Sequence, residues 1–172
     1  MNARAARRSE LRAGRIGRPH GLDGSFYVEE PNLWLLREGQ PLLAGARPAA
    51  VQQRKGTDDR PIIRLQGLRD RAAVEHSRGE TLLARRDQAP ELPEDEWWAE
   101  DLEGCTVLAE GRQIGIVKRL IGLPSCEALQ VERADGGEEL LVPLVIDAVP
   151  EVDVEQRTIE IDLEFLGAGP AR

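Results

Sequence analysis

The clearest indication of the fold lies at residues 152–163, which read VDVEQRTIEIDL. Branched aliphatic residues alternate with acidic residues on both sides of the polar segment 155–157. In an extended strand, successive side chains point to opposite faces, so a period of two separates the two kinds of residue. The pattern predicts two short β-strands that bury their aliphatic face and expose their carboxylates.

The chain ahead of this segment shows the same kind of pattern. Further strands are expected in pairs around turns at 110–112 and 135–137, where glycine supplies the positive φ that tight turns need. These strands are predicted at residues 106–109, 114–120, 128–133 and 139–142. The second half of the chain is therefore expected to be an all-β module with a negatively charged outer surface.

The first half of the chain contains short apolar runs separated by glycine and proline, together with one helical segment. Residues 70–79 begin with Asp70, a favourable N-cap residue, and end with Gly79, so a short helix is expected there. Many short strands with one helix indicate a small β-barrel. Its strands are predicted at residues 12–18, 25–30, 49–54, 61–66 and 81–85.

A boundary between two domains is expected at residues 88–96, which contain two prolines and four acidic residues. Proline restricts its own φ and the residue before it, so this segment is typical of a linker of moderate stiffness. The predicted organisation is a basic flexible tail at 1–12, a barrel at 13–87, the linker at 88–96, a second barrel at 97–168 and a tail at 169–172.

The charge of the chain changes sign at the same place. Residues 1–90 carry 17 Arg and Lys against 11 Asp and Glu, a net charge of +6, whereas residues 91–172 carry 6 against 20, a net charge of −14. A basic surface attracts polyanions, and an acidic surface attracts basic proteins. The segregation favours different partners for the two halves, although charge that serves solubility alone is the simpler alternative for either half.

Several classes of protein find no support in the sequence. There is no run of about 18 apolar residues, so no membrane-spanning helix is expected. The two cysteines, Cys105 and Cys126, lack the spacing of a zinc site or a disulfide framework, which fits a reducing cytosol. Neither His20 nor His76 has catalytic or metal-ligand partners at a recognisable spacing. No catalytic residue, metal or cofactor is predicted, and the protein is not expected to be an enzyme.

Residues 14–24, GRIGRPHGLDG, are rich in glycine. Their spacing matches neither nucleotide-binding fingerprint, and no helix follows, so a strand that enters a tight loop is favoured over a phosphate cradle. His20 is expected to hydrogen-bond local backbone. Arg15 and Arg18, together with His20 and Gly21, are candidates for contact with RNA or the ribosome.

Trp97 and Trp98 stand out in a chain with only six aromatic residues. In an extended segment, one indole could anchor in a core while the other faces outward. An exposed indole surrounded by the carboxylates of Glu96, Glu100 and Asp101 would suit a cationic partner. The alternative is that both indoles pack as a plug between domains.

Two stretches resemble the ribosome maturation factor RimM family, the 16S rRNA processing proteins. The first is 14–24, through its glycines and its Pro-His-Gly sequence. The second resembles the PRC-barrel domain of that family. It comprises Trp97-Trp98 and the segments 101–104, 114–117, 141–145, 152–153 and 159–163.

The resemblance implies a mainly β fold of two small barrels, a translation-factor-like six-stranded barrel with one short helix followed by a PRC barrel. It further implies a non-catalytic factor for maturation of the small (30S) ribosomal subunit and 16S rRNA processing. The acidic barrel and its tryptophan pair, at positions where the family usually has two tyrosines, would bind ribosomal protein nineteen, a basic protein of the subunit head. The segment 124–127, PSCE, departs from the Gly-Ala-Asn-Asp that the family often has.

The expected partners are therefore that protein and the immature small subunit with its 16S rRNA, and the chain is expected to be a cytoplasmic monomer. The alternative is a general RNA-binding or translation-factor-like module without a specific ribosomal-protein partner. A PRC barrel by itself does not decide between these functions.

Overall fold

The computed structural model describes residues 8–167. The chain forms two compact units, one that ends at Pro93 and one that begins at Glu94. This division falls within the segment 88–96 in which the sequence places the linker. No helix in the described part of the chain is long and apolar enough to cross a bilayer.

The first unit is a closed, six-stranded antiparallel barrel. Its strand order is β1-β2-β5-β4-β3-β6, and β1 pairs with both β2 and β6 to close it. The strands are β1 (Glu10–His20), β2 (Ser25–Glu29), β3 (Pro41–Ala44), β4 (Arg47–Thr57), β5 (Arg60–Leu65) and β6 (Thr81–Arg85). The predicted six-stranded barrel is confirmed.

Alternation along the strands fills the barrel. In β2, Phe26 and Val28 point inward while Tyr27 lies half-buried on the outside, because successive residues of a strand face opposite sides. Fully buried large side chains of this core are Leu11, Ile16, Phe26, Leu35, Leu36, Ile63, Leu65 and Leu82.

The described part of this unit contains one α-helix, α1 (Arg71–Ser77). The Asp70 carboxylate accepts a hydrogen bond from the Ala73 N–H at 2.8 Å, which satisfies one of the amides that a helix leaves free at its start. Val74 is fully buried. The helix thus begins after its predicted N-cap and ends two residues before Gly79.

Several boundaries of this unit differ from the sequence prediction. β1 begins at Glu10, so residues 10–12 belong to the barrel and not to a tail. Residues 1–7 of that predicted tail, and the predicted tail 169–172, lie outside the described residues. The sequence gives no sign of β3, because Pro41 starts it and Gly45 follows it, and both residues are typical of turns.

The second unit contains a short helix and a six-stranded sheet in the order β10-β9-β8-β7-β12-β11. β12 runs parallel to β7, while the other pairs are antiparallel. The elements are α2 (Ala99–Leu102), β7 (Thr106–Ala109), β8 (Arg112–Gly122), β9 (Glu127–Arg133), β10 (Leu140–Pro143), β11 (Glu151–Asp153) and β12 (Thr158–Glu160). The predicted mainly β fold class is confirmed.

The segment 152–163 forms β11, a turn and β12, as the alternation predicts. Ile159 and Ile161 are buried in the core of the unit. Asp153 has a further role, because its carboxylate accepts hydrogen bonds from the amides of Glu155 and Gln156 at 2.9 and 2.8 Å. One of the predicted outward carboxylates therefore fixes the turn between the two strands.

Candidate functional site

The glycine-rich stretch 14–24 comprises the second half of β1 and the tight turn that leads into β2. A Cβ atom on Gly17 would lie 2.5 Å from the Tyr27 carbonyl oxygen, and one on Gly24, where φ is +82°, would lie 2.1 Å from the Leu68 carbonyl oxygen. Both positions need glycine because the backbones approach too closely for a side chain. These contacts support a strand entering a tight loop.

Around Tyr27, this stretch contributes to a cluster of cationic and aromatic side chains. The Arg18 guanidinium carbon lies 4.7 Å from the centre of the Tyr27 ring, and that of Arg60 lies 4.6 Å from it. The His20 ring meets the Tyr27 ring edge-on at 5.3 Å, and its Nδ1 lies 3.1 Å from the Tyr27 hydroxyl oxygen. We call Arg18, His20, Tyr27 and Arg60 the Tyr27 surface.

The structure brings together two of the four residues predicted to contact RNA or the ribosome. Arg18 and His20 belong to the Tyr27 surface, whereas Arg15 stands opposite Glu29 in the β1–β2 pair. Gly21 lies in the turn with φ +69°. The prediction of a backbone partner for His20 is wrong, because its hydrogen-bond partner is the Tyr27 hydroxyl group.

Sequence reasoning did not find Arg60 or assign a role to Tyr27. Arg60 begins β5, which lies beside β2 in the barrel, and 32 residues separate the two positions along the chain. The alternation in β2 does indicate that Tyr27 faces outward once Phe26 is placed in the core. The register between β2 and β5, which brings Arg60 to Tyr27, has no local signal.

The second candidate site is the segment around the tryptophan pair. Trp98 is only 8% exposed, and Trp97 is half-buried against the core of the second unit. The Trp98 carbonyl oxygen accepts hydrogen bonds from the amides of Asp101 and Leu102 at 2.9 and 3.3 Å, which starts α2. Neither indole is freely exposed, and Trp97 is the one that retains accessible surface.

The carboxylates near the pair are not placed as the sequence suggests. Glu100 and Asp101 are 5% and 8% exposed, so they do not form an open acidic ring around an indole. They occupy the first turn of α2, where the unpaired amides of a helix favour negative charge. Of the three carboxylates predicted to bind a partner, Glu96 alone is exposed.

Glu127 is a carboxylate of the second unit that interacts electrostatically with Glu96 and that the sequence did not single out. Desolvation raises the pKa of the Glu127 carboxyl group above its usual value, and the negative charge of Glu96 raises it further. Glu127 begins β9 and remains exposed. The like charges of Glu96 and Glu127 therefore interact electrostatically in the second unit, and Glu96 directly precedes Trp97.

Both units match models of known protein domains. Residues 11–89 match the RimM N-terminal domain, and residues 99–164 match the RimM PRC barrel domain.

Curated relatives match over most of their length. The ribosome maturation factor RimM of Nitratidesulfovibrio vulgaris (strain DP4) is 34% identical over 161 residues, which covers 88% of this chain and 89% of the relative. The protein of the same name from Acidothermus cellulolyticus is 35% identical over 162 residues, covering 87% and 88%.

Two solved structures are also similar. The crystal structure of a putative 16S ribosomal RNA processing protein RimM from Pseudomonas aeruginosa is 20% identical and covers 89% of this chain and 96% of its own, with a TM-score of 0.37. The solution structure of the N-terminal domain of RimM from Thermus thermophilus is 22% identical and covers 50% and 100%, with a TM-score of 0.42. On the two domain matches and the identity to curated relatives, the chain belongs to the RimM family of ribosome maturation factors.

Proposed function

We propose that this protein is a non-enzymatic assembly factor that acts in maturation of the small ribosomal subunit and in 16S rRNA processing. The ribosome maturation factors to which it is related support this role. In the proposed mechanism, the acidic second unit binds a basic protein of the subunit head, ribosomal protein nineteen, and holds it in an arrangement suited to assembly. No bond is made or broken, and the protein acts as a cytoplasmic monomer.

One observation supports the proposal of a basic protein partner: exposed Glu96 directly precedes the half-buried Trp97, and the negative charge of Glu96 raises the pKa of the Glu127 carboxyl group. Repulsion between two carboxylates is relieved when a cation approaches both of them. A Lys or Arg side chain of the partner would be attracted by both charges, and the Trp97 ring, next to Glu96 in the chain, offers a flat apolar contact. The site is therefore suited to a cationic protein surface.

The rest of the second unit extends this suitability. Residues 91–172 carry a net charge of −14. Such a charge speeds encounter with a basic protein and repels free nucleic acid, and both effects weaken as salt screens them. We expect the second unit to contact protein in the immature subunit and the first unit to contact its RNA.

The proposal is tested by titrating ribosomal protein nineteen into the full-length chain and into a variant with Glu96→Gln and Glu127→Gln. We expect the variant to lose about tenfold in affinity, equivalent to about 1.4 kcal/mol. A matched control carries Glu151→Gln and Glu164→Gln, which remove the same charge from exposed positions elsewhere in the unit. Equal losses in the two variants would show that general charge, and not this pair, attracts the partner.

The contribution of the tryptophan pair is tested at Trp97, because Trp98 is too buried to be removed without loss of packing. Trp97→Tyr places there the aromatic type usual in the family and should keep the affinity within about threefold. Trp97→Ala removes the flat surface and should weaken binding about tenfold or more, as truncation of an aromatic interface residue commonly does. Unchanged binding by the alanine variant would remove Trp97 from the proposed interface.

The alternative of a general RNA-binding module rests on the Tyr27 surface of the first unit. Affinity purification of the chain from cells separates the two functions. An assembly factor should co-purify with precursors of the small subunit, whereas a general module should recover RNA without enrichment of those precursors.

A further inference from the structure

The Tyr27 surface joins side chains from three neighbouring strands of the barrel. Tyr27 lies on β2, Arg18 comes from β1 on one side of it, and Arg60 comes from β5 on the other. We propose that this surface binds the phosphodiester backbone of RNA, with Tyr27 holding the two guanidinium groups in place. The inference rests on the proposed function in taking ribosomal RNA as the ligand, and it is tested independently of the protein partner.

The two guanidinium groups have hydrogen-bond donors to offer. Within residues 8–167, neither Arg18 nor Arg60 forms an ion pair with a carboxylate. Each guanidinium makes a cation–π contact with the Tyr27 ring. Other arginines of the unit are engaged, such as Arg47, which meets Glu80 at 2.7 Å. A guanidinium presents a planar fork of N–H groups that matches a phosphate in a bidentate manner, so these two side chains suit that ligand.

The tyrosine ring reduces the cost of ordering these side chains. A free arginine side chain samples many rotamers and loses that freedom when it binds. Stacking on Tyr27 already restricts Arg18 and Arg60, and the Tyr27 hydroxyl group is fixed by His20 at 3.1 Å. Binding of phosphate therefore requires less additional ordering than it would at two isolated surface arginines.

The same contacts decide how the surface would meet RNA. A base needs an uncovered aromatic face on which to stack. The Tyr27 ring is approached by guanidiniums from both flanking strands and by the edge of His20. The ring is thus engaged by protein groups, and the surface is suited to phosphate contacts that position RNA without reading its sequence.

Further positive charge lies along the same sheet face. Tyr27 stands opposite Ile62 in the β2–β5 pair, and Ile62 stands opposite Lys55 in the β5–β4 pair, so the three side chains share one face. Lys55 is exposed and has no ion pair among the described residues. Adjacent strands are about 4.8 Å apart, so the cations spread across about 10–15 Å, a length that covers several phosphates of one RNA strand.

Two carboxylates in the adjoining turns have arginine partners of their own. Asp23, in the turn before β2, lies 3.8 Å from Arg64, and Asp58 is bonded to Arg54. Neither acid forms an ion pair with Arg18 or Arg60. The four residues of the Tyr27 surface include two guanidinium groups and no carboxylate, in a chain whose total charge is −8.

The test measures binding of a fluorescein-labelled RNA hairpin of about 30 nucleotides to the full-length protein, by fluorescence anisotropy, between about 50 and 200 mM salt. We expect Arg18→Ala and Arg60→Ala each to weaken binding about three- to tenfold and to reduce the salt slope by about 0.9, the value for one phosphate contact in a duplex. The matched control is Arg37→Ala, since Arg37 also stacks on an aromatic ring, 4.8 Å from the centre of Trp34.

Two substitutions of Tyr27 test its positioning role. Tyr27→Leu should weaken RNA binding about threefold and leave the salt slope nearly unchanged, because no charge is lost. Tyr27→Phe keeps the ring under the two guanidiniums and should bind RNA within about twofold of the original chain. Hydrogen–deuterium exchange of the barrel strands verifies that each variant is folded.

Three results would overturn the proposal. The first is an Arg37→Ala effect equal to those of Arg18→Ala and Arg60→Ala, which would indicate diffuse basic charge. The second is displacement of the labelled RNA by poly-glutamate as effectively as by unlabelled RNA, which would indicate a surface for acidic protein. The third is absence of RNA binding by the folded chain, and that result would leave the measured affinity for ribosomal protein nineteen unaffected.

Discussion

Replacement of Gly24 by alanine tests the interpretation of the glycine-rich stretch as a tightly packed turn. An L-residue in a left-handed conformation costs about 1–2 kcal/mol, and the lower entropy of the unfolded chain returns about 0.4–1 kcal/mol. At Gly24 the new Cβ would also lie 2.1 Å from the Leu68 carbonyl oxygen, which is backbone and cannot rotate away. Overpacking of this kind costs about 1–3 kcal/mol more. We expect the free energy of unfolding to fall by about 2–4 kcal/mol in total.

Gly21 supplies a matched control in the same turn. Its φ is +69°, but the nearest atom to a new Cβ would be the Asp23 carboxylate oxygen at 3.8 Å, an ordinary contact. Gly21→Ala should therefore lower the free energy of unfolding by only about 1 kcal/mol, because only the conformational cost of the positive φ applies there. The difference between the two variants isolates the contact with Leu68.

The assay is a urea titration followed by pulsed hydrogen–deuterium exchange, read separately on peptides from β1–β6 and from β7–β12. Gly24→Ala should shift the midpoint of the first set toward lower urea and leave the second set in place, because the substitution lies in the first unit. Equal shifts for Gly24→Ala and Gly21→Ala would refute the argument from close backbone approach.

Other substitutions have expected effects on stability. Trp98→Ala should destabilise the second unit by about 3–5 kcal/mol, as expected for a buried tryptophan, whereas Trp98→Phe should cost much less; equal midpoints in urea would contradict its place in the core. Asp70→Ala should destabilise the first unit by about 1 kcal/mol, while Asp70→Asn, which keeps a capping oxygen, should change its melting temperature little. The raised pKa of Glu127 means that the folded state holds this proton more tightly than the unfolded state, so stability is greatest below the usual pKa of 4.5 and falls as pH rises through the folded-state value. Glu127→Gln should remove this fall in stability as the pH rises. Urea midpoints from pH 4 upward that are identical for the original chain and the variant would contradict the raised pKa of Glu127.

Local patterns in the sequence were sufficient for much of the fold. The alternation at 152–163 located β11 and β12, and Asp70 located the start of α1. Side-chain alternation could not locate β3, because Pro41 begins it, Gly45 follows it, and both residue types are typical of turns. The extended conformation of β3 depends on its pairing with β4 and β6. Strand boundaries that are set by partners across the sheet have little local signal.

Local sequence patterns predicted the candidate sites less well than they predicted the fold. Neighbouring side chains point to opposite sides only in an extended segment. Because α2 starts directly after Trp98, Glu100 and Asp101 lie on a helix and are buried. The contact of Arg60 with Tyr27, and the electrostatic effect of Glu96 on Glu127, join residues more than 30 positions apart. Charge and composition predicted the sign of each unit, but not which side chains form its surfaces.

The parallel pairing of β12 with β7 has a consequence for how the protein is made. Thr106 and Thr158 are neighbours in this pair, so the first strand of the second unit pairs with its last strand, and the sheet is incomplete until β12 has been synthesised. The first unit is closed once β6 pairs with β1, which requires the chain only as far as Arg85. Since domains generally fold as units during synthesis, from the N-terminus onward, the basic barrel can form while the acidic unit is still being translated. Nascent chains stalled when residue 93 has already emerged from the ribosome should therefore protect β1–β6 from proteolysis, whereas those stalled before residue 158 has emerged should leave β7 exposed.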